Sequence, residues 1–277
     1  MTVFVPPRSN IAEAWVDALD VAVSFKGGIA TNFVVTVTDP LNDADAGVTA
    51  LVGSALTTAK RQKIETVANT LFPRSLYRNR GVSWSPQMSK ADMTKLDESA
   101  DRLYANYLGM LDTLKTEPTN SRGTYFSRMI TWPGKDVGGI NQLAKRVAQL
   151  RAAHRNNQKS QSAADMTLEE PGEAVTIMEY AADDNRKMSF PCLVHISMTV
   201  HEGRLSLTAV YRNWYLITRG FGNLVGLSRL LAFLCDQTGY QPGELVIHAT
   251  KVSAEFTPYR KADIVKMVAS ARAVLNA

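Results

Sequence analysis

Only two cysteines, Cys192 and Cys235, occur in the 277 residues. Two thiols cannot build a disulfide framework, nor a zinc site on their own, so a reducing, cytoplasmic setting is expected. No apolar run comes near the about 18 residues that a membrane helix needs. The N-terminus, MTVFVPPRSN, lacks the apolar length and the cleavage pattern of a secretory leader. The sequence has no P-loop, no dinucleotide fingerprint and no cluster of metal ligands, so no metal is expected. Histidines number four. His201 falls in a turn, and His248 lies in an apolar strand where a satisfied core histidine is the simplest reading. Strict alternation would put His195 on the opposite strand face from Cys192.

What is present supports a packed core: 45% hydrophobic and 21% charged residues, with a mean hydropathy of -0.13. A net charge of +5 favours anionic partners. Nucleotide, phosphorylated metabolite and nucleic acid all stay open on that ground. A basic strip of Arg146, Arg151, Arg155 and Lys159 reads most simply as a solvated face.

Apolar spacing and caps predict helices over 10–25, 49–71, 90–114, 140–153, 223–235 and 259–277. Strands are predicted over 32–38, 174–180, 193–200, 204–211 and 244–252, with His201-Glu202-Gly203 turning between two of them. Residues 156–170 are polar and poor in large apolars, which predicts a surface loop. No repeat and no linker is visible, so a single α/β domain over 1–277 is expected.

The most informative stretch is Phe190–Asn223. Pro191-Cys192 opens one strand, Arg212 ends the next, and Gly220-Phe221-Gly222-Asn223 leads into an apolar helix. A cysteine acts as a nucleophile only when something favours its thiolate. Arg212 and Arg219 are the candidate groups, and a guanidinium also binds phosphate in bidentate fashion. The alternative reading is a small buried hydrophobe.

These residues resemble the catalytic half of the thymidylate synthase and pyrimidine hydroxymethylase superfamily. Pro191-Cys192, Gly203-Arg204-Leu205, Arg212 and Gly220–Asn223 keep the order and spacing of its motifs. Upstream, Gly123-Thr124-Tyr125, Trp132-Pro133 and Ile140-Asn141-Gln142-Leu143 are similar to its next segment; downstream, Gly243-Glu244-Leu245-Val246 is similar to a strand. The resemblance covers about residues 120–255 and leaves 1–115 divergent. It implies a mixed sheet flanked by helices and a homodimer packed sheet against sheet. Cys192 would add to C6 of a pyrimidine nucleotide and make C5 nucleophilic toward a one-carbon donor. Arg212, with Arg219, Asn213 and Tyr215, would line the nucleotide, Asn223 would read the base edge, and Trp132 would stack on cofactor or base.

Several positions depart from the family pattern. Leu193 follows the cysteine where a histidine is usual, and Tyr211 stands for a glutamine. Asn213 replaces the phosphate-holding serine, Tyr215 an aspartate, and Gly222 a proline. Ser253-Ala254-Glu255 stands where a His-x-Tyr pair grips the sugar, and Glu173-Ala174 where the partner subunit's arginines would come. These changes point away from an ordinary deoxyuridylate methylase and leave the folate donor open. The expectation is a diverged one-carbon transferase on a pyrimidine nucleotide. A nucleotide-binding or interaction module without catalysis, on the same fold, is the alternative.

Overall fold

A computed structural model describes residues 2–42, 45–121, 123–133, 138–157, 164–168, 192–257 and 259–277. The strand expected over 174–180, together with Glu173, Pro191, Arg122 and Lys159, lies outside these residues. The architecture is mixed α/β: a seven-stranded mixed sheet and, among the described residues, eight helices.

The strands are β1 (Val3–Phe4), β2 (Ile29–Val37), β3 (Ala164–Thr167), β4 (Leu193–His201), β5 (Arg204–Tyr211), β6 (Trp214–Tyr215) and β7 (Gln241–Ser253). They run in the order β1-β2-β7-β5-β4-β3, with β6 pairing β7 beyond the end of β5. β5 and β6 hold one register along β7, since Tyr211 sits opposite Ala249 and Trp214 opposite Val252. The Thr250 hydroxyl donates to the Arg212 carbonyl at 2.7 Å and ties the interruption to β7.

Alternation along the strands separates two faces. Phe33, Val35, Leu207, Ala209, Leu245, Ile247 and Ala249 point into the core. Val34, Thr36, Thr208, Val210, Val246 and His248 point the other way and are only half-buried. His248 is therefore on the second face, not in the core.

Helices α1 (Ile11–Ser24) and α7 (Phe221–Thr238) cover the core face. Asn10 caps α1 by accepting from the Glu13 amide at 2.9 Å, and the helix buries Trp15 and Leu19 completely. The remaining helices are α2 (Ala46–Thr58), α3 (Ile64–Leu71), α4 (Lys90–Lys115), α5 (Tyr125–Ile130), α6 (Gln142–Arg155) and α8 (Lys261–Leu275). One buried apolar cluster runs from Val5 to Ala271, so the divergent N-terminal part shares its core with the rest.

The single helix expected over 49–71 is two, α2 and α3, broken at Ala59–Lys63 with Lys60 at φ 52°. A lysine in the left-handed region leaves no Gly or Pro to announce the break. β3 replaces part of the loop expected over 156–170, and pairs with β4 through Ala164 opposite Met198. Its four residues, ADMT, carry too little β-branched signal to be read alone. Gly222 gains a reason here. A Cβ there would stand 2.7 Å from Val67, and one on Gly226 would stand 2.7 Å from Leu71 and 2.8 Å from the Ala68 carbonyl. The two glycines let α3 lie directly against α7.

Candidate functional site

Cys192 sits at the start of β4, directly across from Arg212, whose amide donates to the Cys192 carbonyl at 2.8 Å. Leu193 pairs with Tyr211, and a bulge then shifts the register before His195. That bulge breaks the alternation on which the opposite-face placement of His195 rests. The His195 Nε2 lies 3.7 Å from the carboxylate of Asp165 on β3.

After β6 the chain makes a π-helical turn, Leu216–Gly220, which carries Arg219 and runs straight into α7. The motif expected as a turn, Gly220–Asn223, is thus already helical. Asn223 falls in the first turn of α7, 3% exposed and one turn beyond Arg219. Arg219 donates to the Oε1 of Gln62, which the α2–α3 break delivers to this spot.

Burial pushes the Cys192 thiol above the ordinary thiol range, and the guanidiniums of Arg212 and Arg219 pull it back only in part. Both arginines therefore act on this sulfur, in the direction a nucleophile requires, yet the resting thiol is protonated at neutral pH. Two phenols sequence reasoning did not assign also flank it. Tyr125, the first residue of α5, lies against the backbone of Leu193 and Cys192, and burial drives its pKa far up. Tyr211 is driven up likewise, by burial first and then by Tyr125 and Cys192, and its hydroxyl is buried without a partner among the described residues. A capping box was the available signal for Tyr125: Thr124 and Ser127 cap each other's backbone and start α5 at this tyrosine.

The other assigned residues separate. Asn213 is in place beside Arg212, with its Oδ1 buried and unpartnered among the described residues. Tyr215 is on the rim, 39% exposed and paired with Ser253. Trp132 lies two residues past the end of α5, in an antiparallel bridge with Ile140.

The basic strip is structural where it is described. Arg151 reaches Asp97 at 2.6 Å and both the carbonyl and side chain of Gln237. Arg146 donates to the Asp165 carbonyl at 2.7 Å, and Arg155 lies over the Trp84 ring. Arg128 is buried and donates to the Leu168 carbonyl at 2.8 Å.

The contrast between the two free cysteines gives a direct test. Burial, with Asp236 beside it, pushes Cys235 to about 12. A raised folded-state pKa means that thiolate is scarce below it and grows as pH rises through it. Iodoacetamide is expected to label Cys192 first, more slowly at neutral pH than an unstructured thiol, with a rate that still climbs beyond the ordinary thiol range. Peptide mass spectrometry separates the two sites.

A half-buried thiol between two phenols, faced by an arginine across an antiparallel pair and backed by a helix that begins beside it, is set in a mixed α/β fold of the kind that the resemblance implies. No model of a known protein family matches the sequence. Curated relatives do. It is 24% identical over 125 residues to the "Putative thymidylate synthase" of Methanothermobacter thermautotrophicus, covering 45% of this chain and 50% of that protein. The protein of the same description from Methanothermobacter marburgensis is 32% identical over 66 residues, 24% of this chain and 30% of that one. A third, from Methanosarcina barkeri, is 24% identical over 122 residues, 44% and 48%. The chain spans about half the length, or less, of these relatives. Its similarity is thus to proteins described as putative thymidylate synthases, at 24–32% identity over less than half of this chain.

Proposed function

We propose that this chain binds a pyrimidine nucleotide and transfers a one-carbon unit to its C5, with Cys192 as the nucleophile. The observation that carries this reading is the action of two guanidiniums, Arg212 and Arg219, on one thiol at the start of β4. The Cys192 thiol gives its proton to solvent and Sγ bonds to C6; the C5–C6 electron pair moves to C5, which bonds the electrophilic carbon of the donor as the electron pair of that carbon's bond to its carrier passes to the carrier. The C5 proton then leaves and the Sγ–C6 bond breaks, restoring the ring and the thiolate. Arg212 and Arg219 hold the phosphate, Asn213 and Asn223 offer amides to the nucleotide, and Tyr215 borders the opening. Tyr125 and Tyr211 are neutral phenols placed to donate hydrogen bonds beside the reacting sulfur.

A folate donor finds poor support in these residues. Tyr215 offers no carboxylate, and the α7 face at Gly222 is filled by Val67 and Ile64. The donor is therefore left as a one-carbon electrophile. The half-buried second face of the sheet, with its small and β-branched side chains, suits a second copy of the chain, and we assign the homodimer to it. The two free thiols fit a cytoplasmic setting.

One observation favours a second reading, a nucleotide-binding module without turnover: burial outweighs both arginines at Cys192. A thermal-shift screen over nucleotides tests the binding common to both. A ligand at ~100 times its Kd adds about 2.7 kcal/mol to the stability. Pyrimidine nucleotides are expected to raise the melt and to protect Cys192 from alkylation. Arg212→Ala should weaken binding on the order of tenfold to a hundredfold, the loss of a charge-assisted contact worth roughly 1.5–3 kcal/mol. If no nucleotide shifts the melt or protects the thiol, the reading fails.

A further inference from the structure

Glu255 has no part in the nucleotide reading, yet it is among the most firmly held residues near Cys192. It follows β7, is 7% exposed, and adopts φ 60°. That backbone conformation is unfavourable for a glutamate, and the surrounding contacts have to hold it. They are four. Oε2 accepts from the amides of Ile217 and Thr218, both at 2.8 Å. Oε1 accepts from the Thr218 hydroxyl at 2.6 Å, and the Glu255 amide donates to the Ser253 hydroxyl at 3.1 Å.

Two successive amides and a hydroxyl at the N-terminal end of a helical run form an anion nest, with the helix dipole favouring negative charge. Here the anion is the chain's own carboxylate, brought from 37 to 38 residues away. The peptide it grips is the one that leads directly into Arg219. We propose that Glu255 is a positioning residue: seated in the Ile217–Thr218 nest, it fixes the Leu216–Gly220 turn so that Arg219 bears on the Cys192 thiol. Its charge is engaged by the turn and not displayed to a ligand. A phosphate must then rely on arginine side chains, since the backbone nest is taken.

The groups that face each partner are on hand as controls. Arg61 and Tyr259 stand around Glu255, while Arg212, Tyr211 and Tyr125 stand with Arg219 around Cys192. The effect is measured without nucleotide, so its failure and that of the nucleotide reading are separable.

The test is the pH profile of Cys192 alkylation in Glu255→Ala, Glu255→Gln and Thr218→Val. In Glu255→Ala the turn relaxes and Arg219 loses hold of the thiol. Alkylation at mildly alkaline pH should slow about threefold, the equivalent of an upward thiol shift of about half a unit. Glu255→Gln should stay near wild type, because its carbonyl can accept from both amides while its NH2 donates to Thr218. Thr218→Val, which removes one of the three contacts to the carboxylate, should shift the profile less and in the same direction. A folded Glu255→Ala protein with an unchanged or faster profile overturns the proposal. If that variant does not fold, an unchanged Thr218→Val profile overturns it equally. A merely structural role would lower the melting temperature and leave the alkylation profile where it was.

Discussion

Cys192→Ala is expected to reduce transfer to C5 below detection, by on the order of 10⁴-fold or more, while changing nucleotide affinity no more than about threefold. The asymmetry follows from what the thiol does in the proposed reaction. It supplies the bond to C6 that makes C5 nucleophilic, and no neighbour can replace it. Tyr125 and Tyr211 are held neutral by burial, and a neutral phenol is a poor nucleophile. Binding, in the same proposal, falls to the guanidiniums and amides around the sulfur, which the substitution leaves intact. Exchange of the C5 hydrogen with solvent, followed by release of label from a C5-labelled pyrimidine nucleotide, reads the covalent step even without the one-carbon donor. Exchange that persists in Cys192→Ala would remove the thiol from the chemistry. Absent exchange in the wild type, with nucleotide bound, would favour the binding module.

How the site came to be legible follows from its connections. Cys192 and Arg212 were readable as neighbours because the two-residue turn Glu202-Gly203 pairs β4 with β5, while the bulge between Leu193 and His195 sets Cys192, rather than Leu193, across from Arg212. Arg219 and Asn223 followed because they lie on the continuous run from β6 into α7. The irregularities were hidden. The bulge before His195, the break at Lys60 and the left-handed Glu255 involve residues with no local preference for those conformations, so tertiary contacts impose them. Each hidden irregularity alters the site. The break presents Gln62 to Arg219, and Glu255, at a position where the resemblance puts a sugar contact, has its carboxylate held by the amides of the turn.

The divergent N-terminal part holds the deepest dependence of all, through Trp15. This residue is fully buried on α1, and its Nε1 donates to the Leu216 carbonyl at 2.7 Å, across 201 positions of sequence. Its ring meets Phe221 edge-on at 5.6 Å. A side chain from the part of the chain with the weakest resemblance thus supports both ends of the turn that carries Arg219. Trp15→Ala removes a large buried ring and orphans a buried carbonyl, so a loss of about 3–5 kcal/mol is expected. Against a total of roughly 5–15 kcal/mol for a folded domain, that would leave the protein near its limit. Trp15→Phe keeps most of the ring and loses the hydrogen bond, which should cost about 1–2 kcal/mol. Urea titration followed by circular dichroism measures both. If the carbonyl contact also steadies the turn, Trp15→Phe should slow Cys192 alkylation as Glu255→Ala does. A normal alkylation profile in a destabilised Trp15→Phe protein would confine Trp15 to the core and leave Glu255 as the sole clamp tested on Arg219.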